Sequence, residues 1–140
     1  MKPKLILIIL LSLSSFCQAS DISKIITVLK QTESNGDIKA IGDNGKAFGI
    51  LQIHKICIDD VNRIYGTDYT HQDAFNEHCA EEIFTLYINA GIKRFVKRYS
   101  KQPTEQDIVR MWNGGFYKGY RKKTTIKYYR RYLRFKSLIK

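Results

Sequence analysis

One carboxylate in this sequence sits where a carboxylate is expected to resist ionisation. Glu33 follows Leu29, Ile26 and Ile22 by four, seven and eleven residues, so it shares the stripe that a first helix would bury. It also falls in the last turn before Asn35-Gly36, where the helix dipole is negative. Desolvation and dipole act together and push the carboxyl pKa toward neutrality. An acid still protonated at about pH 6 to 7 can protonate a leaving oxygen, as the cleavage of a glycosidic bond requires. If the helix rotates at its end, Glu33 is instead a surface residue before a turn, and periodicity alone does not separate the two. A second acid, Asp43, lies in Gly42-Asp43-Asn44-Gly45. Facing a cleft about 6.5 to 9.5 Å from Glu33, it could direct water in an inverting hydrolysis. An Asp-Asn-Gly run is more commonly a plain turn.

The elements that must position these groups read as helices joined by glycine-marked turns. A first helix is predicted over Asp21–Glu33, with Ile22, Ile25, Ile26 and Leu29 on one face. Glycines at 42, 45 and 49 mark Asp37–Ile53 as a tight loop with room for a short hairpin. A second helix is predicted over Lys55–Tyr65, ending at Gly66. A third runs over Asp73–Tyr99, with Phe75, Cys79, Ile83, Leu86, Tyr87 and Ala90 inward. Thr104 with Asp107 reads as a capping box that opens a fourth helix, broken at Asn113-Gly114-Gly115. A last, basic helix starts near Thr124 or Thr125 and is expected to bury Ile126, Tyr129 and Leu133. The fold class is therefore mainly α, with at most a very short β-hairpin.

Four segments then stand in a telling order. Glu33-Ser34-x-Gly36 is followed by Gly45-Lys46-Ala47-Phe48-Gly49-Ile50-Leu51-Gln52-Ile53, then by Met111-Trp112-Asn113-Gly114-Gly115, then by Thr125-Ile126-Lys127-Tyr128. Together, across Ile22 to Tyr132, they resemble the soluble lytic transglycosylase family, which shares a lysozyme-like fold with the goose-type lysozymes. The resemblance implies a single lysozyme-like domain that cuts the bond between N-acetylmuramic acid and N-acetylglucosamine in peptidoglycan. Glu33 would protonate the bridging oxygen and then, ionised, take the proton of the muramyl 6-hydroxyl as a 1,6-anhydro ring closes. Ser34, Gln52 and Asn113 would hydrogen-bond substrate or steady the acid, and Gly49, Gly114 and Gly115 would let backbone approach the glycan. Tyr128 would orient the Glu33 carboxyl. For Gln52 and Asn113 the competing role is loop capping, and for Tyr128 it is core packing. Two departures from the family pattern stand out. The predicted signal ends barely a dozen residues before Glu33, so the turn or helix that usually precedes the family's first helix is expected to be missing, and Trp112 occupies a position where members often carry Ala and Tyr. Its indole could stack on a sugar or fill the core. Goose-type lysozymes carry a carboxylate in the loop that holds Asp43, which keeps hydrolysis open as the alternative outcome.

Charge and export signals narrow the setting. The 140-residue chain has a formal net charge of +11. Residues 1–19 read as a secretory signal: Lys2 and Lys4, the aliphatic run Leu5–Leu13, and the small-residue exit at Ala19. Its apolar run is about half the ~20 residues a membrane-spanning helix needs. Residues 20–140 then form one domain, expected to be a periplasmic or secreted monomer. From Lys118 to Lys140 there are ten Lys and Arg and no Asp or Glu. Such a surface suits an anionic partner, and export favours an anionic cell wall over nucleic acid. A non-catalytic cationic wall-binding protein is the reading from another class. Cys57 and Cys79 could pair as a disulfide in an oxidising compartment or stay as two thiols. His54, Cys57, His78 and Cys79 match no standard metal spacing, so neither metal nor cofactor is expected.

Overall fold

The computed structural model describes residues 21–139, so the predicted signal segment, 1–19, lies outside the described residues. Helix α1 covers residues 21–34. It ends because Asn35 (φ 54°) and Gly36 (φ 81°) turn left-handed. Their amides bond back to the Gln31 and Lys30 carbonyls, each at 3.1 Å. The glycine-marked loop then folds as three strands of two residues each, β1 (Ile41–Gly42), β2 (Ala47–Phe48) and β3 (Ile53–His54). They form one antiparallel sheet in the order β1-β2-β3, a step beyond the single hairpin expected. Helices α2 (Lys55–Tyr65), α3 (Glu77–Tyr99), α4 (Glu105–Gly114) and α5 (Lys123–Leu138) complete the chain. The molecule is thus mainly helical with a small sheet, and no described helix is long and apolar enough to cross a membrane.

Local chemistry explains most boundaries. Gly66 stops α2 in the left-handed conformation (φ 68°), and Thr104 and Asp107 form the capping box at the start of α4. The third helix starts later than its hydrophobic pattern suggests. A second capping box, Thr70 with Asp73, opens a separate 3-10 turn at His71–Phe75, and the Asn76 side chain then caps α3. α1 packs against α3, and Lys30 is clamped between Glu77 (2.6 Å) and Glu81. Ile22, Ile25, Ile26, Val28 and Leu29 join Leu51, Ile58, Phe84, Ile88 and Val109 in one core. Phe48 of the sheet stacks on His71 with ring centroids 3.8 Å apart, and His71 Nε2 lies 2.7 Å from the Ile53 carbonyl. These contacts dock the sheet onto the 3-10 turn.

The buried face of α5 is also offset from the one expected. Thr125 and Tyr132 are buried and Tyr128 is half-buried, while Leu133 is 41% exposed. The inward stripe is thus Thr125, Tyr128 and Tyr132, one position ahead of the Ile126, Tyr129, Leu133 set. Thr125 can be buried because its hydroxyl is fully partnered. It donates toward the Lys122 and Tyr120 carbonyls (2.7 and 2.9 Å) and accepts from Arg110 Nε (2.9 Å).

The disulfide alternative is overturned, since Cys57 and Cys79 are both free thiols. Cys57 lines a groove together with Tyr87, whereas Cys79 lies eight residues earlier on α3, about 12 Å along the helix axis. A disulfide needs Cα atoms within about 7 Å.

Candidate functional site

Residues of all five helices and of the small sheet line a groove of about 640 Å³. Glu33 lies in it at the end of α1. Trp112 of α4 donates its indole N–H to Glu33 Oε1 at 3.1 Å, and the Tyr128 phenol of α5 donates to the same oxygen. With both donors on Oε1, the proton of the neutral acid belongs on Oε2. Burial is the largest influence on this carboxyl and raises its pKa to about 7. The bonds from Tyr128 and Trp112 and the nearby Arg131 charge pull it back down. Glu33 is half-buried, so part of it still faces the groove. A group with this pKa can give up a proton and take one back at neutral pH.

The donors are themselves held in place. The Trp112 ring packs against Phe84 and Tyr87, with centroids 4.7 and 5.9 Å away. Tyr128 is placed by Thr125, one turn earlier on the same face, whose three hydrogen bonds tie the start of α5 to α4 and to the loop between them. Burial and the Glu33 carboxylate both raise the Tyr128 phenol well above its ordinary pKa, so it remains a donor.

The remaining sequence-selected residues divide between the groove and its scaffold. Gln52, Asn113, Gly114, Gly115 and Asp43 line the groove with Glu33. Asn113 is exposed, and its side chain makes no hydrogen bond among the described residues. Gln52, itself left-handed (φ 50°), spends its amide N–H groups on the Gly49 and Ala40 carbonyls (2.9 and 3.2 Å). Its main work is therefore to hold the sheet loop. Asp43 is exposed, with Oδ2 3.5 Å from His54 Nε2. Ser34 and Gly49 do not line the groove. The Ser34 hydroxyl donates to the Ile50 carbonyl at 2.9 Å and joins the end of α1 to the sheet loop. Gly49 is left-handed (φ 74°), and a Cβ there would lie 1.8 Å from the Ala74 carbonyl oxygen. The position is glycine because the sheet loop touches the 3-10 turn. Gly114 is tight for a similar reason: a Cβ there would come within 2.6 Å of Gly119 and 2.7 Å of Thr125. This contact closes the loop that carries Tyr117 and Lys118.

Sequence reasoning did not assign several groove residues to the site: His54, Asp60, Tyr87, Tyr117, Lys118 and Arg131. Only Arg131 had a usable signal, since it follows Tyr128 by three residues and so shares its helix face. Burial raises the Cys57 thiol and the Tyr87 phenol in this groove, keeping both protonated. Among the described residues, no three His, Cys, Asp or Glu side chains converge as a metal site would require. Comparison of the chain with family models, curated proteins and solved structures finds no match.

Proposed function

We propose that this protein is a peptidoglycan lytic transglycosylase on a lysozyme-like fold. The observation that carries the reading is the Glu33 carboxyl, which has a pKa of about 7 and faces a groove with both of its donors on Oε1. The Oε2 proton passes to the oxygen between N-acetylmuramic acid and N-acetylglucosamine as the C1–O bond breaks. Glu33, now a carboxylate, takes the proton of the muramyl 6-hydroxyl as that oxygen closes on C1. The two steps return the acid to its starting state and form a 1,6-anhydro ring, with no water consumed and no second carboxylate required. Glycosidases that hydrolyse normally need a pair of carboxyl groups. Tyr128 and Trp112 stabilise the carboxylate between the two steps. Asn113 offers an amide that can donate and accept at a sugar hydroxyl or N-acetyl group.

A second outcome on the same site draws on Asp43, which lines the groove beside His54. There it could direct water onto C1, making the enzyme a hydrolytic muramidase. Digestion of purified sacculi followed by mass spectrometry separates the two. We expect 1,6-anhydromuramyl ends from the native protein and no release from Glu33→Gln. Reducing ends would instead assign hydrolysis. Release that survives Glu33→Gln would refute Glu33 as the acid, and binding to sacculi with no release by the native protein would leave a cationic wall-binding protein.

A further inference from the structure

The charges lining the groove are arranged unequally. Three carboxyl groups face it: Glu33, Asp43 and Asp60. Asp60 is paired with Arg63 at 2.7 Å, Asp43 lies 3.5 Å from His54 Nε2, and Glu33 is held by two neutral donors. The same groove is also lined by two cations, Lys118 in the glycine-closed loop and Arg131 on α5. Both are exposed, and neither makes an ion pair with a carboxylate among the described residues. Arg131 is close enough to Glu33 and Tyr128 for its charge to act on both. It therefore stands within reach of a ligand that touches the acid.

We propose that Arg131, aided by Lys118, binds a carboxylate on the ligand and selects acidic glycans over neutral ones of the same ring structure. This rests on the glycan-cleavage reading of the Glu33 groove and adds the residues that recognise the acidic groups of its strand. A guanidinium presents two parallel N–H donors to a carboxylate, a geometry that a neutral sugar hydroxyl does not match. The Arg63 guanidinium paired with Asp60 limits the repulsion an anionic ligand would meet at that carboxylate. On a muramyl strand the carboxylate comes either from the lactyl group on the ring or from a stem peptide attached to it.

The test is calorimetric binding to Glu33→Gln, which holds ligand without turnover, using three oligosaccharides of equal ring number. These are a neutral N-acetylglucosamine oligomer, a peptide-free muramyl strand with lactyl carboxylates, and a peptide-bearing strand. We expect the acidic strands to bind about tenfold more tightly than the neutral oligomer at low salt. Adding Arg131→Gln should bring that ratio close to one, and Lys118→Ala should reduce it in part. The stem peptide is attached through the lactyl carboxyl as an amide, so preference for the peptide-free strand alone assigns the lactyl carboxylate. Preference for the peptide-bearing strand alone assigns the stem, and preference for both shows that either carboxylate is accepted. Equal affinity for all three ligands, no binding of any, or a ratio unchanged by Arg131→Gln would overturn the proposal. Cleavage by the native protein is scored separately on the same strands. Selective binding without cleavage would sink the catalytic reading and leave carboxylate recognition standing, and cleavage without selectivity would do the reverse.

Discussion

Replacing Trp112 by Phe removes one hydrogen bond to the acid and keeps an aromatic ring in its place. The indole N–H reaches Glu33 Oε1 at 3.1 Å, while the ring itself packs on Phe84 and Tyr87. A phenyl ring keeps much of that packing and loses the donor. Because the donor favours the ionised carboxyl, its loss must raise the Glu33 pKa above about 7. A hydrogen bond to a charged group contributes about 1.5 to 3 kcal/mol. This one is long and shares its oxygen with Tyr128, so about 1.4 kcal/mol is a reasonable magnitude, equivalent to about one pH unit. The acid should then titrate near pH 8. At pH 7.5 its protonated fraction would rise from about one quarter to about three quarters. The direct assay is 13C NMR of the Glu33 side-chain carboxyl across pH 5 to 10, with far-UV circular dichroism confirming the fold. In a rate profile on purified glycan, the alkaline limb should move up by the same interval. A carboxyl that titrates at the same pH or lower in Trp112→Phe would refute the claim that this indole tunes the acid.

Other perturbations test the framework around the acid. The Glu33 pKa is raised from 4.5 to about 7, so the native state holds this proton more tightly than the unfolded chain does. Its contribution to stability is full below pH 4.5 and lost as pH rises through about 7, a change on the order of 3 kcal/mol. Urea unfolding should show Glu33→Gln lacking this loss, and equal pH slopes for both proteins would contradict the burial of the acid. Gly49→Ala should destabilise by several kcal/mol, because it adds a carbon 1.8 Å from a backbone oxygen at a left-handed residue; an unchanged melting temperature would contradict this packing. Thiol titration of the unreduced, denatured protein should count Cys57 and Cys79 both as reactive, whereas unreactive thiols there would restore the disulfide.

What the sequence discloses about the fold is what local chemistry decides. Gly66 stops α2 where expected because a left-handed residue ends a helix whatever it packs against. Thr104 and Asp107 satisfy each other within one turn, so the start of α4 was readable too. The same logic applied to Thr70 and Asp73 would have separated the 3-10 turn from α3, but the apolar pattern running through Ala74 and Phe75 obscured it. The error on α5 has a different origin. Ranking residues by polarity favours Ile126 and Leu133 over Thr125, yet Thr125 is buried by partners supplied by Arg110 and Tyr120. Only the folded chain brings those partners together.

The acid is a product of the whole fold in the same sense. Its position on the apolar stripe of α1 is local and could be read, and so could the prospect of a raised pKa. Its two donors come from residues 79 and 95 positions away in the chain, and no periodicity reports a contact at that distance. Each donor is fixed by a different neighbour, Trp112 by the aromatic side of α3 and Tyr128 by the Thr125 anchor. If any one helix shifts, the carboxyl loses a donor or gains water, and these two changes drive its pKa in opposite directions. The titration of Glu33 therefore reports which helix has moved: a rise marks loss of α4 or α5 contact, and a fall marks opening of the groove to solvent.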